Sequence, residues 1–159
     1  ELFENIQSGQ TYLRSGGIGL EYLVKELLDI EGYDAGVLDK RAFSSFADAD
    51  VKASREDRCS SIKLLVQVKH HQGTSGDWGL KQLEEIRKLS LKDYSDHVLI
   101  FVTSAEVTKA LRDKADSLSI TVIDGYGLSD WIYENLNKLR PDTKNKLGIC
   151  EVPTLTSLY

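Results

Sequence analysis

The sequence predicts an α/β domain: one mixed β-sheet, built from an antiparallel hairpin followed by parallel strands, with helices on both faces. Three observations carry that expectation. Residues 46–53 and 62–69 read as strands joined by a short charged turn, which is hairpin order. His97-Val98-Leu99-Ile100-Phe101-Val102-Thr103 is a nearly continuous apolar run, the pattern of a central strand covered on both sides. In the second half, stripes of apolar residues at helical spacing alternate with short strands. The resulting order, α-β-β-β-α-β-α-β-α, places helices against both faces of one sheet.

Taken in order, residues 1–15 are mixed and polar, a leading arm or helix broken by Gly16-Gly17. A helix begins at Ile18, with Leu20, Leu23, Val24, Leu27 and Leu28 on one stripe, and Gly32 closes it. Glu21 lies in its first turn, where a carboxylate interacts favourably with the helix dipole. Residues 33–38 form a first strand and 39–45 a polar connection. In the strand 46–53, Phe46, Asp48 and Asp50 alternate with Ala47, Ala49 and Val51. Residues 54–60 turn the chain into the strand 62–69, and 72–76 make a Gly/Ser/Thr loop. Asp77 is the expected N-cap of a helix over 78–89 whose stripe is Leu80, Leu83, Ile86 and Leu89. After the strand 97–103, Thr103 and Glu106 have capping-box spacing for a helix over 105–118. A strand over 119–123, the cap Asp124-Gly125 and a helix over 128–139 ended by Pro141 complete the domain. The expected organisation is an arm (1–15), a domain (16–140) and a tail or linker (141–159).

Length and composition narrow the partners. A chain of 159 residues with 41% hydrophobic residues suits one domain with a full core. The net charge of −5 provides no global basic field for nucleic acid, so any grip on phosphate must be local or come from a partner. No apolar run approaches the roughly 20 residues of a membrane helix. Cys59 and Cys150 lack CxxC spacing and are expected as buried or half-buried free thiols, in keeping with a reducing cytoplasm. The chain starts at Glu1 and contains no Met, which suggests part of a longer protein.

The candidate chemistry lies in the hairpin. Gln67 and Lys69 are two positions apart on one strand and project from one face; Asp48 and Asp50 share a face of its neighbour. Hard divalent cations take oxygen ligands, and Mg²⁺ usually takes one or two carboxylates. Asp50 offers a carboxylate, Gln67 an amide oxygen and Val68 a backbone carbonyl. Lys69 has no acceptor, so it cannot be a ligand; beside a metal-activated water it orients the nucleophile and stabilises phosphoryl charge. The remaining candidates read as ordinary structure. Of His70 and His71, which alternate faces, at most one can join the site. His97 is structural. Trp78, Lys81 and Arg87 are either DNA contacts or an ordinary exposed helix face. No His/Cys set has zinc spacing, and no Ser has an identifiable His/Asp partnership.

Several stretches resemble one family in the same order. Gly19-Leu20-Glu21-Tyr22-Leu23-Val24, with Leu27-Leu28 and Gly32-Tyr33, is similar to the opening helix of the Mrr-like restriction endonuclease domain, a branch of the PD-(D/E)xK nucleases. Ala47-Asp48-Ala49-Asp50-Val51 stands where that family has a glycine-rich stretch ending in its metal-binding Asp. Val66-Gln67-Val68-Lys69 matches its QxK strand. Phe101-Val102-Thr103-Ser104 and Ile123-Asp124-Gly125 with Leu128 match its closing strands and last helix.

The resemblance implies a restriction-endonuclease-like fold and an Mg²⁺-dependent endonuclease acting on double-stranded DNA, with Mn²⁺ able to substitute. In those terms Asp50 is the metal carboxylate, Gln67 the second ligand, Lys69 the catalytic lysine and Glu21 an auxiliary ligand. Asp48 is a rival to Asp50, because Asp48-Ala49 replaces the usual glycines. A homodimer, or a place in a larger restriction or defence protein, would supply a second site for double-strand cutting. The alternative is a catalytically degenerate module of the same fold that binds nucleic acid or a protein partner. A nuclease specific for branched DNA is a third reading.

Overall fold

Two stripes of apolar residues, one from each helical layer, close on opposite faces of a five-stranded sheet. The computed structural model describes residues 2–8, 18–39, 43, 46–89 and 93–150. Helices α1 (Leu2–Gln7) and α2 (Ile18–Ile30) come first, followed by the strands β1 (Asp34–Val37), β2 (Val51–Glu56) and β3 (Ser61–Lys69). Then α3 (Trp78–Leu89), β4 (His97–Thr103), α4 (Lys109–Ser117), β5 (Ile120–Ile123) and α5 (Gly125–Glu134) alternate. A 3-10 turn (Leu136–Lys138) leads into α6 (Pro141–Lys146). The strand order is β1-β2-β3-β4-β5, with β1, β2 and β3 antiparallel and β3, β4 and β5 parallel. The expected mixed sheet with helices on both faces is therefore present.

Strand alternation assigns the two cores. Leu64, Val66 and Val68 of β3 face α2, α5 and α1, meeting Leu23, Val24, Leu27, Leu128, Ile132 and Ile6. Leu65 of β3 and Leu99 and Phe101 of β4 face the other way, onto Leu80, Leu83 and Ile86 of α3 and Leu111 and Ala115 of α4. β3 is thus buried on both sides, each large apolar side chain contributing about 1.5–3 kcal/mol of transfer free energy. Gly79 lets α3 close on this face: a Cβ there would lie 2.3 Å from the Phe101 ring. The helix start is also held by Asp77, whose carboxylate pairs with Lys81 (3.1 Å) and Lys114 (2.6 Å).

Several boundaries differ from the sequence expectation, each for a local polar reason. The strand expected over 46–53 begins only at Val51. The Asp50 backbone still bridges its neighbours, donating to Val66 O and accepting from Leu38 N, but its side chain takes the next N–H of β3 and ends the ladder. The helix expected over 105–118 starts at Lys109, with Thr108 Oγ1 accepting from Leu111 N. Thr103 and Glu106 do not form a capping box for it. Thr103 Oγ1 accepts from Ala105 N, and the Glu106 backbone instead pins the loop after β3, bonding Gly73 O and Ser75 N. Asp124 caps α5 as expected through Gly127 N at 2.9 Å, but the helix runs over Gly125–Glu134 rather than 128–139.

Pro141 opens a helix instead of ending one, a position where its missing N–H costs nothing. α6 returns to the core because buried Glu26 accepts from Arg140 N, Arg140 Nε and Thr143 Oγ1, and Leu147 enters the first cluster. Cys59 and Cys150 are both exposed, contrary to expectation; the polar hairpin turn that carries Cys59, ordered by the Asp57 carboxylate, stands clear of the core. The expected break at Gly16-Gly17 and the last part of the tail, 151–159, lie outside the described residues. Among the described residues no helix is long and apolar enough to cross a membrane.

Gly79→Ala should push α3 off the sheet, because the Phe101 ring is enclosed and cannot yield freely. Overpacking of this kind costs about 1–3 kcal/mol. Urea unfolding should show a lowered midpoint with an unchanged slope.

Candidate functional site

The site forms where β2 begins and β3 ends. β3 is committed to the interior through Val68, so its next residues emerge at the C-terminal end of the central strand. Val66 O accepts from Asp50 N, which places the polar backbone groups of Val66, and by strand alternation those of Val68, on the β2 side. Asp50 Oδ2 fills the position a continued β2 backbone would occupy. It accepts from Val68 N at 2.7 Å and from Gln67 Nε2 at 2.6 Å. Its Oδ1 accepts no hydrogen bond from the described residues. The Val68 carbonyl points into the same gap.

Gln67 is fully buried, yet its Oε1 has no hydrogen-bond partner among the described residues. An unpaired buried acceptor costs roughly 1–3 kcal/mol, so this atom is primed for a donor or a cation. The Asp50 carboxyl is pushed up to about 7 from an ordinary 3.8. Burial is the main cause, opposed by the Val68 N–H bond; the charges of Glu21 and Asp48 raise it further and Lys69 lowers it.

The other sequence candidates fall around this pair. Glu21, in the first turn of α2, is buried (8% exposed) and near enough to act on Asp50 electrostatically. Asp48 is half-buried, with Oδ2 4.0 Å from Lys69 Nζ. The structure thus separates the two aspartates: Asp50 contacts Gln67 and Val68, and Asp48 faces Lys69. Among the described residues no group of three or more His, Cys, Asp or Glu side chains is arranged to hold a metal ion. The oxygens that do converge are one carboxylate, one amide and one carbonyl. That set suits a hard divalent cation, and the orphaned Gln67 Oε1 beside a desolvated carboxylate fits one.

Sequence reasoning missed Ser104. It is fully buried just past β4, and it ties down the residues after Gln67. Ser104 N donates to Lys69 O (3.1 Å); its Oγ accepts from His71 N (3.0 Å), donates to His71 O (3.1 Å) and contacts His70 Nδ1 (2.9 Å). His70 is thereby a structural tie whose burial lowers its proton affinity, and His71 is exposed. A serine following an apolar strand gives no sign of such a role. His97 is structural as expected: it is buried, with Nδ1 3.0 Å from Asp96. Lys81 is paired with Asp77, and the Arg87 guanidinium donates to Leu118 O, so neither side chain is free; Trp78 is exposed.

Comparison with known proteins gives a consistent result. A family profile described as restriction endonuclease (Mrr_cat) matches residues 13–132. No curated protein sequence matches. Among solved structures, the chain is similar to the DNA modification-dependent restriction endonuclease AspBHI (TM-score 0.59, 9% identity, 92% of this chain and 38% of that one). It is also similar to the restriction endonuclease FokI bound to DNA (0.54, 12%, 89% and 28%). A third is the MspJI restriction endonuclease in complex with a 27-mer oligonucleotide (0.51, 15%, 81% and 30%). At these identities the likeness concerns the fold, and the chain spans less than two fifths of each of those proteins.

The raised Asp50 proton affinity has a definite sign in stability. In the unfolded chain the carboxyl ionises near pH 4, in the fold near pH 7, so without metal its stabilisation is complete below pH 4 and is lost as pH rises to 7. Asp50→Asn removes that loss. Metal-free Asp50→Asn should melt about 3–6 °C above wild type at pH 8, and the advantage should vanish near pH 4 when thermal unfolding is followed by circular dichroism.

Proposed function

Because this chain belongs to the Mrr-type restriction endonuclease family, we propose that it is an Mg²⁺-dependent DNA endonuclease module whose metal is held by Asp50, Gln67 and the Val68 carbonyl and whose Lys69 activates water. The observation that carries this reading is the Asp50–Gln67–Val68 convergence: a desolvated carboxylate next to an unpaired buried amide oxygen, two positions from a half-buried lysine. Two of the similar solved structures are described as bound to DNA or in complex with an oligonucleotide, which supports DNA as the substrate.

A divalent cation held there would supply positive charge toward a phosphodiester and its attacking water. The remaining work falls to the chain. Asp50, just before β2, and Gln67 of β3 would hold the cation at one fixed position beside Lys69. Lys69, whose backbone carbonyl is anchored by Ser104 N, presents its ammonium to the attacking water and the phosphoryl oxygens. Asp48, 4.0 Å away, limits how far that ammonium swings. Glu21 supports the site from α2. Attack at phosphorus leaves a 5′-phosphate and a 3′-hydroxyl. Mn²⁺ should replace Mg²⁺. Cutting both strands needs a second site, from a second copy or from the larger protein of which such a module forms part.

The absence of a three-membered acidic or His/Cys cluster among the described residues, together with the −5 charge, favours one other reading: a nuclease-fold module that binds nucleic acid or a protein without cutting. Two measurements separate the readings. With supercoiled plasmid and Mg²⁺, Lys69→Ala and Asp50→Ala should each lower the nicking rate by about 10²–10³, the scale of losing one preorganised electrostatic group. Mn²⁺ titration calorimetry should give binding heat with wild type and none with Asp50→Ala. Undiminished cleavage by both variants would remove the proposed mechanism, and no metal heat from wild type would leave the binding-module reading in place.

A further inference from the structure

Strand register, a ring contact and short chain connections link the candidate site to an exposed aromatic pair. Gln67 of β3 lies in register with Phe101 of β4, and adjacent parallel strands present registered side chains on one face. Gly79 sits directly on the Phe101 ring, so the start of α3, with Trp78 as its first residue, lies over the face that carries Gln67 and Phe101. Trp78 contacts Phe46, ring centroids 5.9 Å apart and tilted by 36°. From Phe46 the chain reaches Asp48 in two residues, at most about 7 Å, and Asp48 returns to Lys69. The aromatic pair therefore borders the site on the side of the lysine.

Both rings are held out of the core on fixed supports. Phe46 is 42% exposed and Trp78 is 56% exposed. The support under Phe46 is buried Ala47 and Ala49. Trp78 stands at the start of α3, between Asp77, bound to Lys81 and Lys114, and Gly79, seated on Phe101. The loop leading to it is tied by Ser75 N to Glu106 O and by Glu106 N to Gly73 O. An exposed aromatic surface next to the proposed nuclease site matches the π-face of a nucleobase. It does not match a sugar-phosphate backbone, which needs cations, and Lys81 beside it is already paired with Asp77.

We propose that Phe46 and Trp78 form a stacking platform for a nucleobase displaced from the duplex next to the scissile phosphate, so that the preferred substrate is DNA carrying unpaired nucleotides. The inference rests on the nuclease reading for its location, but the stacking itself needs no metal. In a paired duplex the bases stack on one another and their faces are closed to the platform. An unpaired base pays little to leave the stack, and base–aromatic stacking is tolerant of sequence.

The test measures fluorescence anisotropy of end-labelled 30-mers without metal, comparing a paired duplex with the same duplex carrying a central bubble of unpaired thymines. The 159-residue chain should bind the bubble about tenfold tighter. Phe46→Leu and Trp78→Leu, both at exposed positions, should each reduce that preference to about threefold or less, with unchanged circular dichroism and melting temperature. Equal affinity of wild type for the two DNAs, no measurable binding of either, or an undiminished preference in both variants would overturn the proposal. The same samples given Mg²⁺ test the nuclease reading separately: preference without cleavage rejects that reading and keeps the platform, and cleavage without preference does the reverse.

Discussion

The structure turns on one carboxylate that takes the place of a strand. Asp50 keeps its backbone in the sheet, bonded to Leu38 on one side and Val66 on the other, while its side chain captures the next β3 N–H. One residue thereby stops the β2–β3 ladder and opens a polar gap at the end of a buried central strand. The cost is visible in the chemistry: a desolvated acid with raised proton affinity and a buried amide oxygen without a partner. Neither would persist at a position selected for stability alone, since both weaken the metal-free fold. A divalent cation in the gap would relieve both at once.

The two-sided core gives this gap its rigidity. β3 is packed on one face by α2 and α5 and on the other by α3, so its last residues leave the sheet from a fixed frame. Ser104 at the end of β4 clasps Lys69, His70 and His71, extending that frame past the last ladder bond. Family membership, the mixed sheet and the placement of Lys69 beside Asp48 and Asp50 agree with one another. The candidate site draws on the residue before β2, the end of β3 and the first turn of α2: Asp50 brings the carboxylate, and Gln67 and Val68, consecutive in β3, bring the amide and backbone oxygens.

Most of the architecture was legible in the sequence because apolar periodicity encodes it. The bounds of α3 and β4, the hairpin, the sheet faces and the cap Asp124 follow from spacing alone. What escaped were the places where a side chain competes with the backbone. Asp50 reads as a strand residue because its neighbours alternate, and nothing in that alternation says the carboxylate will end the strand. Thr103 and Glu106 have capping-box spacing, but Glu106 is taken by the loop after β3, and Thr108 caps the helix. Pro141 reads as a stop until Glu26, more than a hundred residues away, supplies acceptors for the residues around it. In the site, the residue types at Asp50, Gln67 and Lys69 were legible. The division of labour between Asp50 and Asp48, and the role of Ser104, were not, because both depend on which strand position faces which atom.

The central claim is that the gap beside Asp50 is a cation site. Anomalous diffraction from crystals soaked in Mn²⁺ tests it most directly. The account predicts one peak about 2 Å from an Asp50 carboxylate oxygen, within ligand distance of Gln67 Oε1 and the Val68 carbonyl. A peak held by Asp48 without Asp50, or no peak in this gap at saturating Mn²⁺, would contradict it.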